Sequence, residues 1–114
     1  MISLDTWQAS KADKALLDRC RAAIRRVVPD ADIILYGSRA RGDAHEYSDY
    51  DILILVDHPV DVALKDRILS CVYPLELDTE AMLTVVTYNR QQWDAFPYKA
   101  MPFRQNVERD GVIL

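Results

Sequence analysis

Glycine is scarce in this chain, three residues in 114, and cysteine scarcer still, with only Cys20 and Cys71. No CxxC pair and no histidine at ligand spacing accompanies the two thiols, so they read as reduced cysteines packed as small hydrophobes. The opening Met1–Trp7 has neither the basic nor the apolar stretch of a signal peptide. No apolar run approaches the ~18 residues of a membrane-spanning helix. The expected location is therefore the cytoplasm, with no membrane association. An excess of basic residues is missing too: 14 Lys and Arg face 18 Asp and Glu, a formal charge of −4. That balance offers no general attraction for nucleic acid, and no dense basic patch compensates locally.

What is present suits one globular domain over residues 1–114. Half of the residues are hydrophobic and 28% are charged, a balance that argues against disorder. A chain of this length buries roughly two-thirds of its unfolded surface, enough for a core without staples. Leu16, Leu17, Cys20, Ala23, Ile24, Val27 and Val28 recur at helical spacing. They predict a helix over 11–28, capped by Ser10 and ended by Pro29. Ile33–Gly37 reads as a short apolar strand, Ser38–Gly42 as one helical turn, and Asp43–Ser48 as a polar loop. A second strand runs over Asp49–Val56, with Leu53 and Leu55 on the aspartate face and Ile52, Ile54 and Val56 on the other. A helix over Val60–Val72 follows, kinked or ended by Pro74. A third strand over Met82–Tyr88 comes next, then a short helix over Arg90–Ala95 and a last helix over Pro102–Arg109 stopped by Gly111. The order predicts an α/β (α+β) domain, a small mixed sheet flanked by helices.

The chemistry concentrates in residues 37–51, Gly-Ser-Arg-Ala-Arg-Gly-Asp-Ala-His-Glu-Tyr-Ser-Asp-Tyr-Asp. Asp49 and Asp51 are two apart at a strand opening and so point to one face. Gly37 lets bare backbone approach an anion, Ser38 adds a hydroxyl, and Arg39 and Arg41 are candidates for countering phosphate charge. Magnesium is usually held by one or two carboxylates plus the phosphates of its substrate. The pattern therefore suits a Mg²⁺–nucleoside triphosphate. Either half of it alone, a Gly-Ser turn or an Asp-x-Asp, would pass as structural.

Gly37-Ser38-Arg39-Ala40-Arg41-Gly42 followed by Ser48-Asp49-Tyr50-Asp51 resembles the signature of the DNA polymerase β-like nucleotidyltransferases. At this length the resemblance is to their minimal nucleotidyltransferase branch. It implies a nucleotidyltransferase-like fold and transfer of a nucleotidyl group, AMP by expectation, from ATP or another nucleoside triphosphate with release of pyrophosphate. By matching position, Gly37 and Ser38 would hold the triphosphate, and Asp49 and Asp51 would be the catalytic, metal-binding pair. The resemblance also implies an acceptor on a partner protein such as a HEPN-domain toxin. The chain leaves no room for an acceptor domain after the third strand, so the acceptor site is expected from a second copy (a homo-oligomer) or another protein. This weighs against aminoglycoside modification.

The family pattern commonly adds a third carboxylate on the neighbouring strand. Here that strand carries none, and Thr84 takes the expected place. Glu76, Asp78 and Glu80 lie just before it, either as solvated charges or as acids reaching in. Two functions stay open: an active nucleotidyltransferase, or a weak or inactive antitoxin-like module that keeps the fold and acts by contact. His45, His58, Trp7 and Trp93 have structural readings as the simpler ones: loop exposure, turn chemistry and edge packing.

Overall fold

Residues 1–114 are all described in the computed structural model. After a two-residue strand β1 (Ile2–Ser3), Ser10 opens helix α1 (Lys11–Val27) by accepting the Asp13 N–H at 3.1 Å. Its buried face is Leu16, Leu17, Cys20, Ala23 and Ile24, the stripe expected from the spacing. The chain then runs through β2 (Asp32–Tyr36) into the one-turn helix α2 (Gly37–Arg41), which closes on Gly42 in the left-handed region, φ 84°. A loop leads to β3 (Tyr50–Val56), and Asp61 caps α3 (Val62–Thr79) by accepting the Leu64 N–H at 2.8 Å. Next come β4 (Leu83–Asn89), the Asn89-capped α4 (Arg90–Trp93), and a 3₁₀ turn at Tyr98–Ala100. Helix α5 (Pro102–Asp110) and a final two-residue strand β5 (Val112–Ile113) complete the chain.

Five strands pair in the order β1-β5-β2-β3-β4. β2 and β3 are antiparallel, and α3 carries the chain across so that β4 lies parallel to β3. The period-2 alternation of β3 sorts the core into two layers. Ile52, Ile54 and Val56 join Ile33, Leu35 and the buried faces of α1 and α3. Leu53 and Leu55 join Ile34, Trp93 and Val107 on the opposite face, under Tyr36, Val86, Tyr88 and Phe103. Each fully buried Ile or Leu contributes about 1.5–3 kcal/mol, so β3, covered on both faces, is the anchor of the sheet. Arg90 ties the far ends of β2 and β3 to α4, donating to Asp32 at 3.0 Å and to the Leu55 carbonyl at 3.3 Å, and pairing with Asp57.

Two features depart from the sequence reading. Pro74 does not end the helix, because α3 continues through it to Thr79. Interior proline costs about 3 kcal/mol, and buried Val72 and Leu75 on either side of it supply burial of similar size. The second departure is the pair β1 and β5, each too short to show a period. They exist because β5 inserts between β1 and β2, with Leu35 opposite Val112 and Ile2 opposite Val112 on the other side.

Candidate active site

Tyr36, the last residue of β2, lies opposite Asp51 in the antiparallel register. Gly37 is therefore delivered directly onto the Asp51 carboxylate. A β-carbon added at Gly37 would lie 2.3 Å from Asp51 Oδ2 and 3.2 Å from Cγ, and the residue has φ +76°. Only glycine meets both conditions, the left-handed backbone and the close approach. Asp49 precedes β3 and shares the rim: its Oδ2 accepts a hydrogen bond from the Thr84 hydroxyl at 3.0 Å, and Thr84 is the register partner of Asp51 on β4. Burial, and then the charge of Asp49, raise the pKa of Asp51, while Arg41 acts in the opposite sense. The two acids thus feel one another across a small volume bordered by bare backbone.

Two carboxylates and a hydroxyl form a hard-oxygen donor set that fits Mg²⁺ with its remaining positions left to phosphate and water, and the bare backbone at Gly37 leaves room for that phosphate. A self-sufficient ion site would need more ligands, and no group of three or more His, Cys, Asp or Glu side chains stands placed for one.

The model of the nucleotidyltransferase domain matches residues 17–110. The chain belongs to this family. It is similar to MntA of Haemophilus influenzae, named as a probable protein adenylyltransferase, at 35% identity over 48 residues, 42% of each chain. It is also similar to the provisionally named protein adenylyltransferase MJ0141 of Methanocaldococcus jannaschii, at 34% identity over 58 residues, 51% of this chain and 59% of that one. The matches thus span about half the length of these curated relatives. A solved toxin–antitoxin with AMP-PNP shares the fold, with a TM-score of 0.59 at 21% identity over 84% of this chain and 69% of the other.

Within this nucleotidyltransferase domain the residues singled out from the sequence divide into two groups. Gly37, Ser38, Asp49 and Asp51 gather at the heads of β2 and β3. Arg39 is spent differently. It donates to the Ser48 carbonyl at 2.9 and 3.2 Å and to the Glu46 carbonyl at 3.1 Å, and its guanidinium lies 4.3 Å over the Tyr50 ring. Tyr50 is held in turn by its hydroxyl donating to Asp13 at 2.6 Å. Arg39 therefore clamps the loop that presents Asp49. Arg41 pairs with Asp43 at 3.2 Å on the exposed side, and its field still reaches Asp51.

Of the three acids ahead of β4, Glu76 and Asp78 are occupied elsewhere, and Glu80 faces the loop that Arg39 clamps. Glu76 accepts the Leu83 N–H at 3.1 Å, Asp78 pairs with Arg19 at 2.8 Å, and Glu80 borders a recess with Arg39, Ser48 and Tyr50. His45 is exposed, and His58 lies beside Asp30 at 3.5 Å, past the opposite end of β3. Trp93 is buried in the second core layer. Trp7 is buried in the first and donates to the Ala40 carbonyl at 3.3 Å, bracing α2 from behind. Tyr36 escaped the sequence reading. Burial, then Asp51, then Tyr88 raise its pKa, which places a neutral phenol beside the acidic pair. Its signal was positional, the residue before Gly37 at the end of a strand.

Proposed function

We propose that this domain transfers a nucleotidyl group, AMP, from a Mg²⁺-bound nucleoside triphosphate to a hydroxyl on a partner protein of the HEPN-domain toxin kind. The reading rests on one observation: the backbone of Gly37 seated on Asp51 beside Asp49, a cradle that a β-carbon would fill. The adenylyltransferase names of the relatives, and the toxin–antitoxin with AMP-PNP that shares the fold, support it. In this mechanism Gly37 and Ser38 orient the triphosphate, and Asp49 and Asp51 would hold the metal. Arg39 and Tyr50 keep the Asp49 loop in place, and Arg41 lends positive charge. The acceptor oxygen bonds to the α-phosphorus as the bond to the bridging oxygen breaks. Pyrophosphate departs with that electron pair, and the acceptor proton passes to solvent. Bound there, Mg²⁺ would neutralise charge at the α-phosphorus and on the departing pyrophosphate.

A second reading has its own observation. Thr84, not an acid, stands on β4 beside Asp49, which favours a contact-acting antitoxin module that retains the fold with little catalysis. The two separate in one experiment. The chain, α-labelled ATP, Mg²⁺ and the HEPN-domain partner are incubated, then repeated with Asp49→Asn plus Asp51→Asn. Label on the partner that the variant abolishes supports the transferase. Full neutralisation of the partner by the variant, with no label in either case, supports the module.

A further inference from the structure

β4 is an outer strand of the sheet, paired only with β3. The Tyr50 N–H donates to the Met82 carbonyl at 2.8 Å, and Ile52 is in register with Val85. In a parallel ladder this turns the even-numbered residues of β4 toward β3. The N–H and C=O groups of Val85 and Thr87 are left on the open edge. Edges are ordinarily blunted by lysine, proline or a bulge. Leu83-Thr84-Val85-Val86-Thr87-Tyr88-Asn89 has no charge and no proline. Only the first outward donor, the Leu83 N–H, is covered, by Glu76.

The flank of α3 beside this edge is equally open. A groove lined by Lys65, Ile68, Leu69 and the Val85–Tyr88 stretch runs between them. At 100° per residue, Val62, Leu69 and Tyr73 continue the groove outward, and they are 74%, 51% and 60% exposed. We propose that this face pairs with a second copy of the same chain, β4 against β4, antiparallel about a two-fold axis through Val86.

Three features select a second copy. First, the edge is self-complementary. With Val86 on the axis, Val85 of each copy faces Thr87 of the other, and each such pair exchanges both of its outward hydrogen bonds. Second, the rises of helix and strand (1.5 and about 3.3 Å per residue) measured from Glu76 at Leu83 bring Leu69 level with Val86. Leu69 then meets Leu69 near the axis, and Lys65 of one copy comes beside Tyr73 and toward Glu76 of the other, pairing opposite charges. Third, the area suffices. The exposed apolar surface of Val62, Leu69 and Tyr73 with the strand edge is roughly 500 Å² per copy, about 1,000 Å² for the pair, the floor for a specific interface. The pairing also sets Tyr88 of one copy opposite Thr84 of the other, so the second copy would wall the acidic site on the side where β4 supplies no carboxylate.

Sedimentation equilibrium of the intact chain is expected to give twice 13.1 kDa, with a dissociation constant on the order of micromolar. Leu69→Glu, on an exposed helix flank, is expected to return it to monomer with an unchanged circular-dichroism spectrum. Val86→Cys in a Cys71→Ser background is expected to cross-link under mild oxidation, because residues on the axis form a non-hydrogen-bonded pair with Cα atoms about 4.5 Å apart, within disulfide range. A monomer at all concentrations would overturn the proposal and leave the face to a different protein. So would a dimer that survives Leu69→Glu and fails to cross-link at residue 86, because it would be using another surface.

Discussion

Replacing Gly37 by alanine tests the cradle directly, and Gly42 supplies its control. Both glycines have positive φ, +76° and +84°, so alanine incurs the same backbone cost at each, about 1–2 kcal/mol. For a domain of this size 1 kcal/mol lowers Tm by roughly 4 °C, and both variants should melt within a few degrees of one another. Their surroundings differ. At Gly42 nothing lies within 4 Å of the added carbon, whereas at Gly37 it falls 2.3 Å from Asp51 Oδ2. Ordinary contact begins near 3.4 Å, so the Asp51 carboxylate must move by about an ångström or the α2 turn must swing away. Displacements of that size at a reacting group cost on the order of 100-fold. Titration calorimetry with MgATP should show Gly42→Ala binding as the parent chain does and Gly37→Ala binding more weakly, with its rate of AMP transfer lowered by roughly that factor. Equal binding by the two variants would refute the argument. So would equal loss, because both glycines would then be acting through the backbone alone.

Two further outcomes follow from the surroundings of single side chains. Arg39→Lys keeps the charge but cannot reproduce the planar fork that holds both the Ser48 and Glu46 carbonyls. Hydrogen exchange in residues 43–48 should quicken, and stability should fall by about 1 kcal/mol; exchange unchanged from the parent would remove Arg39 from its clamping role. At high pH, burial foremost holds the Cys20 thiol up at about 12 against 9.0, and burial with the Asp13 hydrogen bond holds the Tyr50 phenol at about 12 against 10.0. Both groups ionise more readily in the unfolded chain, so their contribution to stability is whole below pH 9 and lost as pH rises from there toward 12. Denaturant titrations should show that decline, and it should shrink in Cys20→Ala plus Tyr50→Phe. Folded-state labelling of Cys20 at pH 8 at the rate of a free thiol would contradict it.

Local chemistry alone determined a good part of this molecule. The helical period of α1, the Ser10 cap, the alternation that divides β3 between two core layers, and the short loop from Gly37 to Asp49 are properties of neighbouring residues. Such patterns survive in a one-dimensional reading because the forces behind them act over a few positions. Gly37 and the Asp49/Asp51 pair were legible for the same reason. What they share with Thr84 and Tyr36 was decided by strand register, since hydrogen bonding between β2, β3 and β4 sets who stands beside whom. The tertiary structure also decided that Arg39 serves the loop, that α3 passes through Pro74, and that β1 and β5 exist at all. In each of these the deciding energy comes from groups distant in the chain: two carbonyls and an aromatic ring, a buried helix face, and partner strands on either side of Val112. That energy exists only once the sheet has closed.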